Sequence, residues 1–197
     1  MAYFRTYYRI GLSREANISL KQIWEDQEVT SILALSETEA IDLTAELALR
    51  LPNEAQQLVE TQLARTKNQD RKEELRFIQP ALSPEKETRD SFFVSLSLLE
   101  NRGTEPWVVT AVGYLHHPLR TSSSINYLHQ SLVMMEELQA TGDIFFPRQF
   151  ITATLGGHQS VAAAEIVNQF LEERPDYPPR LRNKILMAAD LLLRSQR

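Results

Sequence analysis

From Ser36 onward the apolar residues recur at intervals of three and four, and no long stretch alternates apolar with polar. That period places apolar side chains on one face of a 3.6-residue helix, so the chain is constrained to build from helices rather than half-buried strands. The prolines agree. Pro52, Pro84, Pro106, Pro147 and Pro179 each stand at a break in the pattern. Proline is tolerated in the first helical turn, where its missing N–H has no partner to lose, so these five read as helix starts. Pro80 reads as a kink or stop near a helix end.

Local chemistry sharpens the boundaries. Ser36 and Glu39 form a capping-box pattern, followed by an apolar stripe of Ala40, Leu43, Leu47, Ala48 and Leu51. The Ser122–Ser124 cluster predicts the start of one long helix carrying Leu128, Leu132, Met135 and Leu138, with Gly142 as a left-handed C-cap. Ser160 caps a helix with Ile166, Val167, Phe170 and Leu171, and Pro179 opens the last, through Leu193. Starts fall near 36, 53, 69, 84, 105, 122, 147, 160 and 179, so alternate helices begin about 31 to 42 residues apart. That is the period of helix-pair solenoids. The expected fold is all-α: an α-solenoid of stacked antiparallel helix pairs of the HEAT or armadillo kind, about nine to eleven helices, with residues 1–197 as one helical-repeat domain. Only element length repeats, not a residue motif, so a globular bundle is the competing architecture.

Composition narrows function by exclusion. The 197 residues are 43% hydrophobic and 24% charged, which is ordinary for a packed domain rather than a disordered chain. No stretch approaches the apolar length of a membrane span, and Arg5 and Arg9 interrupt the aromatic first ten residues as no signal peptide would. Of the net charge of −5, nine acidic residues between Glu25 and Glu60 face Arg50 alone; the remaining basic residues are scattered. No continuous basic stripe is left to follow a phosphate backbone, so nucleic acid is not an expected partner.

The search for chemistry is short. With no Cys, neither a disulfide framework nor a thiolate metal site is open. No His is followed by Glu in an H-E-x-x-H pattern, no G-x-S-x-G elbow occurs, and Gly156-Gly157 reads as a helix terminator. His116 and His117 are adjacent, so on a helix their side chains diverge by about 100° and do not readily clamp one ion. A site joining His116, His117 and His129 is the functional reading; a helix end at His116-His117-Pro118 is the structural one, with His158 standing alone. Ile144, Phe145 and Phe146 sit in a connection that should be polar, and the loop is expected to fold back on the core rather than form a contact surface. Arg174-Pro175-Asp176-Tyr177-Pro178-Pro179-Arg180 reads as a rigid, extended spacer, and Trp107 as a buried residue at a helix start.

Several segments, taken in order, resemble one known family. They are Gln62–Arg71, Arg89–Phe93, Glu105–Val108, Gly113-Tyr114-Leu115-His116-His117-Pro118-Leu119-Arg120, Thr141–Pro147, Thr154-Leu155-Gly156-Gly157-His158 and Arg174–Leu181. Together they are similar to the C-terminal part of bacterial zinc aminopeptidases of the aminopeptidase N family, over roughly residues 40 to 193. In that family a β domain and a thermolysin-like zinc domain precede a helical domain that closes over the active-site chamber. The resemblance implies that this chain is that last piece. Opening at Tyr3–Tyr8 with no catalytic domain before it, it is expected to be a C-terminal fragment of a larger metallopeptidase.

The zinc helix, its third-ligand Glu and the G-x-M-E-N motif are missing here, so no catalytic or metal residue carries over and no cofactor is expected in this chain. Zinc would belong to the parent's catalytic domain, and any targeting signal would lie upstream. The implied partners are that catalytic domain and the peptide substrate. Candidate contacts are Arg120 and Arg148 for a carboxylate, with Phe145, Phe146, His116 and His117 as further peptide or interdomain contacts. Two alternatives stand beside this reading. One is a free-standing helical-repeat adaptor that binds a protein or peptide in its concave face; the other is a small helical enzyme using its own His and carboxylates.

Overall fold

The structure is a computed structural model describing residues 2–30 and 33–196. Among the described residues it is all-α apart from one two-stranded ribbon. The chain divides into two compact units, Met1–Thr88 and Arg89–Arg197.

Unit 1 holds α1 (Ala2–Ile10), α2 (Arg14–Asp26), the strands β1 (Glu28–Thr30) and β2 (Leu33–Ala34), α3 (Glu37–Arg50), α4 (Ala55–Arg65) and α5 (Gln69–Leu82). The two strands pair antiparallel. α3 is the central element, packed by α1, α2, α4 and α5. Its capping box forms as expected: the Ser36 hydroxyl accepts the Glu39 N–H at 3.3 Å, and the Glu39 carboxylate accepts the Ser36 N–H at 3.2 Å. Burial works against the Glu39 charge, but the bonds from Ser36 and Arg5 outweigh it and hold the carboxyl below its ordinary value. Ser36→Ala is expected to cost about 1 kcal/mol, read as a lower urea midpoint for this unit.

The single apolar stripe expected on α3 is too narrow. From Glu39 to Leu49 every residue except Asp42 is buried, because neighbours cover the helix on nearly all sides. The core around it gathers Phe4, Tyr8, Leu20, Trp24, Leu43, Leu47 and Leu58. Pro52 opens a short 3₁₀ turn ahead of α4, and Pro80 sits in α5 two residues before its end. Pro84 departs from expectation, since α6 (Lys86–Ser95) begins two residues later. The Ser83 hydroxyl accepts the Glu85 N–H at 3.2 Å and holds that step in a turn.

Unit 2 contains α7 (Glu105–Leu115), α8 (Thr121–Ser124), α9 (Leu128–Thr141), α10 (Phe146–Leu155), α11 (Val161–Glu172), α12 (Pro179–Ala188) and α13 (Asp190–Arg194). α10 packs on α7 and α12, while α11 packs on α9 and α13. α9 meets α10 and α12, and α12 meets α13, so α9 and α10 are the central helices of this unit. The helix expected from Ser122 through Leu138 is interrupted by a 3₁₀ turn at Ile125–Tyr127, and the last helix is broken at Ala189. Trp107 is only half-buried.

Gly142 is not a left-handed cap: its φ is −95° and ψ 173°. Glycine is needed there for closeness, because a Cβ would lie 2.6 Å from the Phe146 ring and 2.9 Å from the Leu138 carbonyl oxygen.

Candidate functional site

Of the residues singled out in the sequence, His116, His117 and Arg120 lie where α7 ends. Pro118 has no N–H to continue the helix, so the chain turns at His116 and His117 and enters a 3₁₀ turn at Pro118–Arg120. The two rings part as their adjacency requires. His117 stays half-buried at the turn, where its Nδ1 accepts the Leu119 N–H at 3.2 Å. His116 goes inward and is 1% exposed.

The partner of His116 is His158, which the sequence left standing alone. His116 Nδ1 lies 2.9 Å from His158 Nε2, and Ser124 Oγ is 3.5 Å from that same nitrogen. Both rings are buried. Burial, and then the neighbouring His158, pushes His116 down to about 3; burial pushes His158 down to about 4. Both are neutral at neutral pH. His129 does not join them; it is exposed on α9 with its ring edge-on to Phe170 at 6.1 Å. The grouping of His116, His117 and His129 is therefore replaced by a buried His116–His158 pair.

Gly157 makes this pair possible. A Cβ there would fall 1.9 Å from the His116 carbonyl oxygen, so only glycine lets the connection between α10 and α11 approach the end of α7 and deliver His158. The clue in the sequence was the Gly156-Gly157-His158 order: a terminator needs one glycine, and a second points to close backbone approach.

Arg120 sits beside a polar cluster. Burial, and then the positive charge of Arg89, brings its guanidinium down to about 10, while Tyr127 opposes the shift. Tyr127 donates its hydroxyl to Asp90 at 2.6 Å and stacks on Phe93 at 4.5 Å. Burial, followed by the Asp90 contact, pushes this phenol up to about 12. Arg148 is exposed on α10.

The Ile144-Phe145-Phe146 loop corrects the expectation of full burial. Phe146 is 2% exposed, but Ile144 is 70% and Phe145 66% exposed. The Glu105 carboxylate accepts the Asp143 N–H at 2.8 Å, and Asp143 Oδ1 accepts the Phe145 N–H at 2.9 Å. This fixed turn starts α10 at Phe146, so only that ring enters the core, edge-on to Phe150.

The Arg174–Arg180 spacer is also not extended. Tyr177 N–H bonds back to the Arg174 carbonyl at 3.1 Å, the Arg174 guanidinium lies 4.2 Å over the Phe170 ring, and Tyr177 is buried edge-on to Phe170. Beside this turn is an open recess of about 360 Å³ whose wall includes Glu136, Glu173 and Asp176. In unit 1 a cavity of about 270 Å³ is lined chiefly by Ala55, Val59, Pro80 and Leu82, with Gln56 and Gln79 at its polar side. No motif in the sequence announces either.

Among the described residues no group of three or more His, Asp or Glu is placed to hold one metal ion, and no helix is long and apolar enough to cross a membrane. The arrangement that does form has the chemistry of an internal support: neutral imidazoles, a phenol on a carboxylate, and backbones in contact. Compared with known proteins, the chain matches no protein-family model, no curated protein and no solved structure.

Proposed function

We propose that this chain is a non-catalytic helical domain of a zinc aminopeptidase, forming part of the wall of the active-site chamber and limiting which peptides enter. One observation carries the reading: several of the segments that resemble the aminopeptidase N family join parts of this fold that are far apart in sequence. Gly113–Arg120 locks onto Thr154–His158 through Gly157 and the imidazole pair. Glu105 holds Thr141–Pro147 through the Asp143 N–H, and Arg89–Phe93 meets Tyr127. Gln62–Arg71 closes on Trp24, with Arg65 4.5 Å over its ring. A resemblance that takes in such joints is what shared architecture without shared catalytic residues would leave. In this reading zinc and its general base belong to the parent's catalytic domain, and Arg148, exposed on α10, is the group offered to a peptide carboxylate.

The expected result is that the purified chain, with or without added zinc, releases no amine from aminoacyl-anilide substrates, while the reading frame upstream encodes an H-E-x-x-H helix. Zinc-dependent turnover by this chain alone would overturn the reading. So would an upstream frame without a metallopeptidase module; that result, together with the exposed Ile144 and Phe145, would favour a free-standing helical adaptor.

A further inference from the structure

We propose that the buried His116–His158 contact is an acid-sensitive latch, holding the C-terminal end of α7 to the connection between α10 and α11, so that unit 2 opens first at this joint when the pH falls. The inference is independent of the peptidase reading.

The geometry sets up the latch. At 2.9 Å one ring nitrogen must donate and the other accept, whichever tautomer each ring adopts. The outer nitrogens, His116 Nε2 and His158 Nδ1, are buried with no hydrogen-bond partner among the described residues. In either tautomer one of them bears a proton and the other a bare lone pair, so a proton added to that lone pair makes an N–H with no acceptor, and a charge with no counter-ion, among the described residues. The groups that face the pair are neutral: the Ser124 hydroxyl at 3.5 Å and the Tyr127 ring, edge-on with centroids 6.0 Å apart. Beyond Tyr127 lie Asp90, which accepts its hydroxyl, and the cations Arg89 and Arg120. A charged imidazole here would be desolvated with no carboxylate of the described residues against it, and burying an unpaired charge is strongly unfavourable.

Linkage then fixes the sign. An unfolded imidazole takes a proton near its ordinary value of about 6.5. The folded pair stays neutral down to about 4 for His158 and about 3 for His116. Above that ordinary value neither state is protonated and the pair adds no pH dependence. Below it the unfolded or opened state binds protons that the latched state refuses, so stability falls as pH falls. The opening constant should rise roughly fifty- to sixtyfold between pH 6 and 5 if both imidazoles are released, and about seven- to eightfold if only one is. Ordinary carboxylates change little in this window.

The test uses hydrogen exchange and histidine ¹⁵N NMR on the whole, unsubstituted chain. The expected result is that amides around Leu115–Leu119 and Gly156–Ser160 lose protection together between pH 6 and 5, with the steep two-proton dependence, while the two imidazoles keep the neutral pattern in the latched state. Either imidazole titrating above pH 6 with the fold intact would overturn the proposal, as would independent opening of the two segments. A variant provides a second check: His116→Gln combined with His158→Gln should abolish the steep dependence between pH 6 and 5. If that double variant folds and keeps the dependence, the latch is refuted; if it does not fold, the NMR titration of the unsubstituted chain decides.

Discussion

Gly157→Ala should destabilise unit 2 by about 3 kcal/mol or more, a larger loss than most single substitutions produce. The added methyl would sit 1.9 Å from the His116 carbonyl oxygen, 3.1 Å from its carbonyl carbon and 3.2 Å from the Pro118 nitrogen. All three are backbone atoms, so no side-chain rotation relieves the overlap and the end of α7 has to move. Moving it also separates the His116–His158 pair. Gly113→Ala is the matched control: it lies within α7, and a Cβ there meets nothing within 4 Å. It should stabilise by about 0.5–1 kcal/mol, because alanine restricts the unfolded chain more than glycine does. Urea titrations at pH 7 should therefore move in opposite directions for the two variants. A Gly157→Ala midpoint equal to that of the unsubstituted protein would mean that these backbones are not in contact.

In unit 1 the corresponding weak point is Trp24. It is 5% exposed, and its indole N–H donates to Thr44 Oγ1 at 2.7 Å and Gln62 Oε1 at 3.1 Å. Thr44 in turn donates to the Ala40 carbonyl, and the Gln62 amide donates to Thr66. One aromatic side chain thus joins α2, α3 and α4 through a buried polar network. Trp24→Ala should cost about 3–5 kcal/mol, from lost apolar contact and the cavity left behind. Trp24→Phe keeps most of the apolar volume but removes the donor, so it should still cost about 1–3 kcal/mol for the acceptors left unsatisfied. Denaturation followed by far-UV circular dichroism separates the two terms. If Phe were neutral at this position, the network would contribute little and packing alone would hold the unit.

The sequence was most informative where a single residue acts on its own backbone. Ser36 and Ser160 cap helices, and Pro52, Pro106, Pro147 and Pro179 stand in first turns, because these effects reach only three or four residues. The first 35 residues show how a weaker signal is passed over. Ser13 caps α2, with Ala16, Leu20 and Trp24 at helical spacing behind it, yet the apolar pattern became legible only from Ser36. Gln27 ends α2 with φ at 57°, a left-handed stop made without the glycine that usually marks one.

The candidate site was legible only in part. His116-His117-Pro118 announced a helix end and the divergence of two rings, both of which follow from helix geometry and the missing proline N–H. Nothing nearby in the chain named His158, 42 positions away, as the partner. The Ile144-Phe145-Phe146 run likewise showed three apolar residues and not which would be buried; Glu105 decided that by fixing the turn from another helix.

By itself the order of residues determined that this is a helical protein, where most of its helices begin, and that each carries an apolar face, since propensity, capping and period are interactions among near neighbours. The tertiary structure alone decided that α3 is covered on almost every side, that two distant histidines share one proton bridge, and that Phe145 faces water while Phe146 does not. Those outcomes depend on which surfaces meet after the chain has folded back, and burial, desolvation and backbone contact are properties of that meeting rather than of any residue in it.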